Sequence, residues 1–89
     1  MESQCFNPTM KKVHLSYYAM FKEVRGIPEE SIQTTAATAQ KLYDELQARY
    51  HFKLSVRSLN VAINDQICPW HTIINSGDHI VFIPPVSGG

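Results

Sequence analysis

Gly77-Asp78-His79-Ile80-Val81-Phe82-Ile83-Pro84-Pro85-Val86-Ser87-Gly88-Gly89 opens as a turn, continues as an unbroken apolar run and closes on two residues without side chains. The run from Ile80 to Ile83 is β-branched and aromatic with no polar position, which predicts a central strand covered on both faces. Pro84 and Pro85 end it, because neither has an N–H for a sheet ladder and both fix φ. The residues after them leave the body extended, and the six from Pro84 onward reach at most about 20 Å. A Cβ-free dipeptide passes through a narrow channel, and its terminal carbonyl is open to attack from either side. Gly89 is therefore the expected reacting residue and Gly88 its partner in the channel. Such a tail suits chemistry in another protein's pocket.

Upstream of this stretch, Lys12 to Tyr18 alternates, with Val13, Leu15 and Tyr17 on one face, and predicts an amphipathic strand. One or two helical turns follow from Ala19 and close at Gly26. Glu29 to Thr34 predicts a second strand paired to the first. Thr35 is the expected N-cap of the main helix, in which Ala39, Leu42, Tyr43, Leu46 and Tyr50 recur at spacings of three and four. Its opposite side carries the i,i+4 pairs Lys41 with Glu45 and Glu45 with Arg49. Leu54 to Arg57 reads as strand or loop. Asn60 to Asn64 reads as a strand that turns at Asn64-Asp65 and resumes through Gln66 and Ile67. The class is α+β, with the most apolar strands, first and last, expected at the centre of the sheet. Residues 1–9, with an Asn-Pro pair and no periodicity, are expected to be a disordered leader, 10–84 the domain and 85–89 a flexible tail.

Eight basic and eight acidic residues cancel, which argues against nucleic acid or a membrane surface as the partner and points to another protein. With 89 residues there is one core and no room for a cleft between domains. No apolar run approaches the roughly 18 residues needed to cross a bilayer, and the start resembles no signal peptide, so a cytoplasmic location is expected. Cys5 and Cys68 fit neither a zinc nor a CxxC spacing and read as two reduced thiols, with a disulfide between them as the alternative. His14, His51, His71 and His79 are scattered at no ligand spacing and read as surface histidines, so no metal site is expected. Tyr17, Phe21 and Phe82 read as core, whereas Tyr18 falls on the face opposite Val13 and Leu15 and is a candidate protein contact.

The stretch Phe82-Ile83-Pro84-Pro85-Val86-Ser87-Gly88-Gly89 resembles the C-terminus of ubiquitin-like sulfur carriers, most closely the small subunit of molybdopterin synthase (the MoaD family). Lys12 to Ala19 resembles the opening strand of that family with its aromatic pair, here Tyr17-Tyr18, and Asn60 to Asn64 its penultimate strand. His79 departs from the pattern, standing where an acidic residue is common. The resemblance implies a β-grasp fold, with the first and last strands parallel and the helix across one face. It implies that an ATP-dependent activating enzyme adenylates Gly89, that sulfur displaces AMP to give a thiocarboxylate, and that this sulfur passes to a cyclic pterin phosphate. The implied assembly is a heterotetramer of two small and two large subunits. Tyr18, Phe82, Ile83, Pro84, Pro85, Val86 and Ser87 become candidate contacts with the large subunit, in which the catalytic activity resides. No cofactor is bound, and ATP is used by the activating partner. Sulfur carriers for thiamine or tRNA thiolation and ubiquitin-like protein modifiers share the tail and remain alternatives.

If the tail threads partner channels, Gly88→Val blocks sulfur transfer, since misplacing a reacting atom by an ångström costs about 10²-fold in rate. Its stability stays within about 0.5 kcal/mol of wild type, as for a surface change. Melting, adenylation and transfer measured side by side check this. Normal turnover rules out a tight channel, and a large loss of stability makes the tail part of the fold.

Overall fold

The computed structural model describes residues 10–84. In chain order the elements are β1 (Lys11–Ser16), α1 (Met20–Arg25), β2 (Glu29–Thr34), α2 (Ala39–Tyr50), a 3₁₀ turn (Val56–Ser58), β3 (Asn60–Ile63), β4 (Gln66–Cys68) and β5 (His79–Ile83). The sheet order is β2-β1-β5-β3-β4. β5 pairs parallel with β1 and antiparallel with β3, in the register Leu15 to Ile80 and Val61 to Phe82. The first and last strands thus hold the centre, as expected, and one main helix packs on a mixed sheet.

Only one face of β5 is covered. Ile80 and Phe82 are buried, while Val81 and Ile83 on the other side are half-exposed. The apolar run that predicted a doubly covered strand instead serves two surfaces, because α2 is the only long helix among the described residues and can cover only one of them. Beneath it the core joins Val13 and Leu15 of β1, and Tyr17 just after it, to Leu42, Tyr43 and Leu46 of α2. Phe82 is 1% exposed, meets Tyr43 edge-on at 5.1 Å between ring centroids and stacks with Trp70 at 6.0 Å. Burying such a side chain stabilises the fold by roughly 1.5–3 kcal/mol.

The helix begins later than Thr35. Its N-cap is Thr38, whose side chain accepts from the Lys41 N–H at 3.2 Å. The free N–H groups of Ala39 and Gln40 donate to the carbonyls of Thr72 and Trp70, each at 3.0 Å. The chain after β4 therefore fixes where α2 can start, satisfying donors that a helix end leaves open. Glu45 pairs with Arg49 at 3.5 Å, but its other oxygen accepts from the buried Thr34 hydroxyl at 2.7 Å, so the expected partner Lys41 is not used. β1 ends at Ser16 rather than Tyr18, and Leu54 to Arg57 contributes to a 3₁₀ turn rather than a strand. The β3–β4 hairpin turns at Asn64-Asp65, both at positive φ, as a two-residue type I′ connection demands.

A polar lock ties α1 to the sheet. Arg25 donates to Glu30 through Nη2 at 2.8 Å and Nε at 3.1 Å, and lies 3.9 Å above the Tyr50 ring. The Tyr17 hydroxyl donates to the same carboxylate. Burial pushes Glu30 up, yet its bonds from Arg25 and Tyr17 outweigh that and hold it below the usual carboxylate range. Burial and the Glu30 bond push the Tyr17 hydroxyl well above its ordinary value. Because the folded pKa of Glu30 is lowered, its contribution is complete above the ordinary glutamate value and is lost as pH falls through the folded one. Glu30→Gln is expected to cost about 1.5–3 kcal/mol at neutral pH, as for hydrogen bonds to a charged group. It should also flatten the decline of stability as pH falls below the ordinary glutamate value. Urea midpoints across that range check both.

Candidate functional site

The face of the sheet away from α2 is built by register. Ile67 opposes Ala62, Ala62 opposes Val81, and Val81 opposes Ser16, so these four side chains form one row across β4, β3, β5 and β1. Ile83, opposite Asn60, continues the strip toward the end of β5. Tyr18 follows Ser16 by two residues and is 57% exposed, and Ile67 is 66% exposed. Apolar side chains are thus left open to solvent on this face. Pro84, half-buried, is the last described residue and leaves from the Ile83 end of this strip.

Toward the start of β5 the same face turns polar. His14 and His79 are register partners, with ring centroids 5.1 Å apart. His14 Nε2 lies 2.6 Å from Glu29 Oε1, and His79 Nε2 lies 2.6 Å from Ser16 Oγ. Two histidines that look scattered in the sequence are thus neighbours, because parallel pairing of β1 with β5 brings together residues 65 positions apart. No group of three metal-ligating side chains is found among the described residues.

Of the candidate contacts, Tyr18, Ile83 and Pro84 fall on or beside the open strip. Phe82 does not. Read as core from the residues and as a partner contact from the resemblance, it points into the core, because its place in the strand alternation is that of Ile80. Pro85, Val86, Ser87, Gly88 and Gly89 lie outside the described residues, as do residues 1–9 with Cys5. Cys68 is half-buried and has no disulfide among the described residues. Ile67 was not singled out from sequence. The signal was there in Gln66-Ile67-Cys68, whose alternation aims Ile67 away from Cys68, but three residues are too short to assign faces without their partners. A larger groove of about 610 Å³, lined by Ile63, Cys68 and Ile73 among others, opens at the opposite end of β5, away from the tail.

The profile of the ThiS family matches residues 15–89, which takes in β1 from Leu15, all later elements and the Gly-Gly end. The chain belongs to the ThiS family. A molybdopterin synthase sulfur carrier subunit from Mycobacterium tuberculosis is 31% identical over 83 residues, covering 90% of this chain and 100% of that one. Among solved structures, a chain of the complex of subunits 1 and 2 of molybdopterin-converting factor from Helicobacter pylori superposes with a TM-score of 0.59 and 26% identity. That alignment covers 88% of this chain and 99% of the other. A ubiquitin from Caldiarchaeum subterraneum superposes equally well, at 0.59, with 15% identity over 90% of this chain and 99% of that one. The fold of this ThiS-family chain is therefore β-grasp. No helix among its described residues is long and apolar enough to cross a membrane.

Proposed function

We propose that this chain is the sulfur-carrier subunit of a molybdopterin synthase. The observation that carries the reading is the similarity to a sulfur carrier subunit along that protein's entire length. The Helicobacter pylori complex supports a second, larger subunit as the partner. The domain supplies a rigid body, an apolar strip and an aimed tail, and the reaction takes place at the tail's tip.

The Gly89 carboxylate is a poor electrophile. An activating enzyme therefore joins one of its oxygens to the α-phosphorus of ATP, and pyrophosphate leaves. A sulfur nucleophile then attacks the acyl carbon and the acyl-oxygen bond to AMP breaks, leaving a thiocarboxylate on Gly89. Reversed in polarity, the tip is now the nucleophile. Held in the large subunit, its sulfur bonds to a cyclic pterin phosphate, and water then cleaves the acyl–sulfur bond and restores the Gly89 carboxylate. A dithiolene needs two sulfurs, so two charged carriers act per product molecule, which suits an assembly of two small and two large subunits. The carrier is spent and recharged, so it acts as a co-substrate, and no side chain of the β-grasp body takes part in bond making.

Incubation with the activating enzyme, ATP and a sulfur donor should replace one oxygen by sulfur at Gly89, read by intact mass and C-terminal peptide analysis. Cys68→Ser should charge as wild type does. A persulfide on Cys68, or an isopeptide adduct in place of the thiocarboxylate, would overturn the reading. Docking has its own test. Ile83→Asp places a charge on the open strip and should weaken association with the large subunit by at least about tenfold, on the order of 1.4 kcal/mol. Its melting temperature should fall far less, because Ile83 is outside the core. Unchanged affinity in the folded variant removes the open face from the interface.

A further inference from the structure

β4 is an edge strand, since the sheet order ends β5-β3-β4. Its hairpin with β3 closes on Ile63 and Gln66 across the two-residue turn, so those two residues exchange hydrogen bonds. In an antiparallel ladder bonded and non-bonded pairs alternate. Ala62 and Ile67 are therefore a non-bonded pair, and the N–H and C=O of Ile67 point away from β3. Neither group has a hydrogen-bond partner among the described residues. One free donor and one free acceptor at the edge of a sheet are a template for another strand.

Exposed apolar side chains stand beside that edge. Ile67 and Ile73 are the two most exposed large apolar side chains among the described residues. Both line the groove of about 610 Å³, with Ile63 and Cys68. β2, at the opposite edge, instead exposes Glu29, Ser31 and Gln33. Charge at the groove is one-sided. Asp78 lines it and Asp65 is exposed at the hairpin turn beside it, whereas no Lys or Arg is among its lining residues. The surface thus asks for three things together: backbone groups to meet Ile67, apolar side chains to cover the two isoleucines, and positive charge to face the aspartates.

We propose that the β4 edge is a second docking site, which takes an extended, basic segment of another protein as an added antiparallel strand. The residue of that segment opposite Ile67 donates to the Ile67 carbonyl, accepts from its N–H and lies on the same face as its side chain. Backbone bonds give the segment its hold, and the apolar and basic side chains select it. Pro69 follows Cys68 and has no N–H to extend the edge, so pairing centres on Ile67. Val81, Ile83 and Pro84 are not among the lining residues, and the inference stands apart from the large-subunit reading.

The test titrates a synthetic decapeptide of alternating Lys and Val into the full chain, followed by two-dimensional NMR. Binding saturates, and the Ile67 amide exchanges with solvent at least about tenfold more slowly in the complex. A Glu–Val decapeptide binds at least about fivefold more weakly, because its charge repels the aspartates. The Lys–Val peptide with all backbone nitrogens methylated keeps every side chain and does not bind. Ile73→Ala weakens binding by about fivefold, the order expected for an exposed aliphatic contact. Methylation is a change in the peptide, so it decides the matter even where a protein variant fails to fold. No saturable binding, equal affinity for the two charge patterns, or undiminished binding of the methylated peptide overturns the inference. So do shifts that cluster at Tyr18 and Ile83 instead of Ile67 and Ile73. Self-association that protects the Ile67 amide without peptide makes a second copy of this chain the occupant and overturns it as well. Association of Ile83→Asp with the large subunit bears only on the open face, so the two readings fail separately.

Discussion

The alternation of β5 is the constraint on which the rest depends. Successive side chains of a strand point to opposite faces, so Ile80 and Phe82 are buried under α2 while Val81 and Ile83 face outward. Parallel pairing with β1 and antiparallel pairing with β3 fix this strand at the centre of the sheet. The strand that anchors the core is also the one that leads, after Ile83, into Pro84, the last described residue. Sliding β5 by one residue would exchange the two faces, exposing Phe82 and burying the outward strip.

Around that strand the connections are fastened by polar contacts rather than by additional core. Arg25, Glu30 and Tyr17 hold α1 against the sheet. At the other end, Asn64 donates to Asp78 at 3.0 Å and accepts from the His79 N–H at 3.0 Å, joining the β3–β4 hairpin to the start of β5. The first N–H groups of α2 are bonded by Trp70 and Thr72. Small domains have little buried surface to spend, and these contacts give rigidity where apolar area is scarce.

The open face divides along β5. Its tail end is apolar, with Tyr18, Val81 and Ile83, and its far end is polar, with the His14 and His79 rings side by side. An apolar centre flanked by polar groups is the usual layout of a protein interface. Fold alone does not distinguish a sulfur carrier from a modifier, since the ubiquitin of Caldiarchaeum subterraneum superposes as well as the molybdopterin-converting factor complex. The distinction lies in what is attached to the tip and what covers the open face.

By itself the sequence determined the α+β class and the order of most elements, because these depend on local chemistry. Hydrophobic period, proline and glycine act over a few residues. It also determined that Tyr18 is exposed, from its parity with Val13 and Leu15. Tertiary structure decided the rest. The run Ile80 to Ile83 read as covered on both faces, and only the position of α2 makes one face core and the other surface. Thr35 was the expected cap, and the carbonyls of Trp70 and Thr72, more than 30 residues downstream, moved the helix start to Thr38. His14 with His79, and Ile67 with Ala62 and Val81, became neighbours through strand pairing. Such pairings have no local signature, because the residues concerned meet only after the chain has folded.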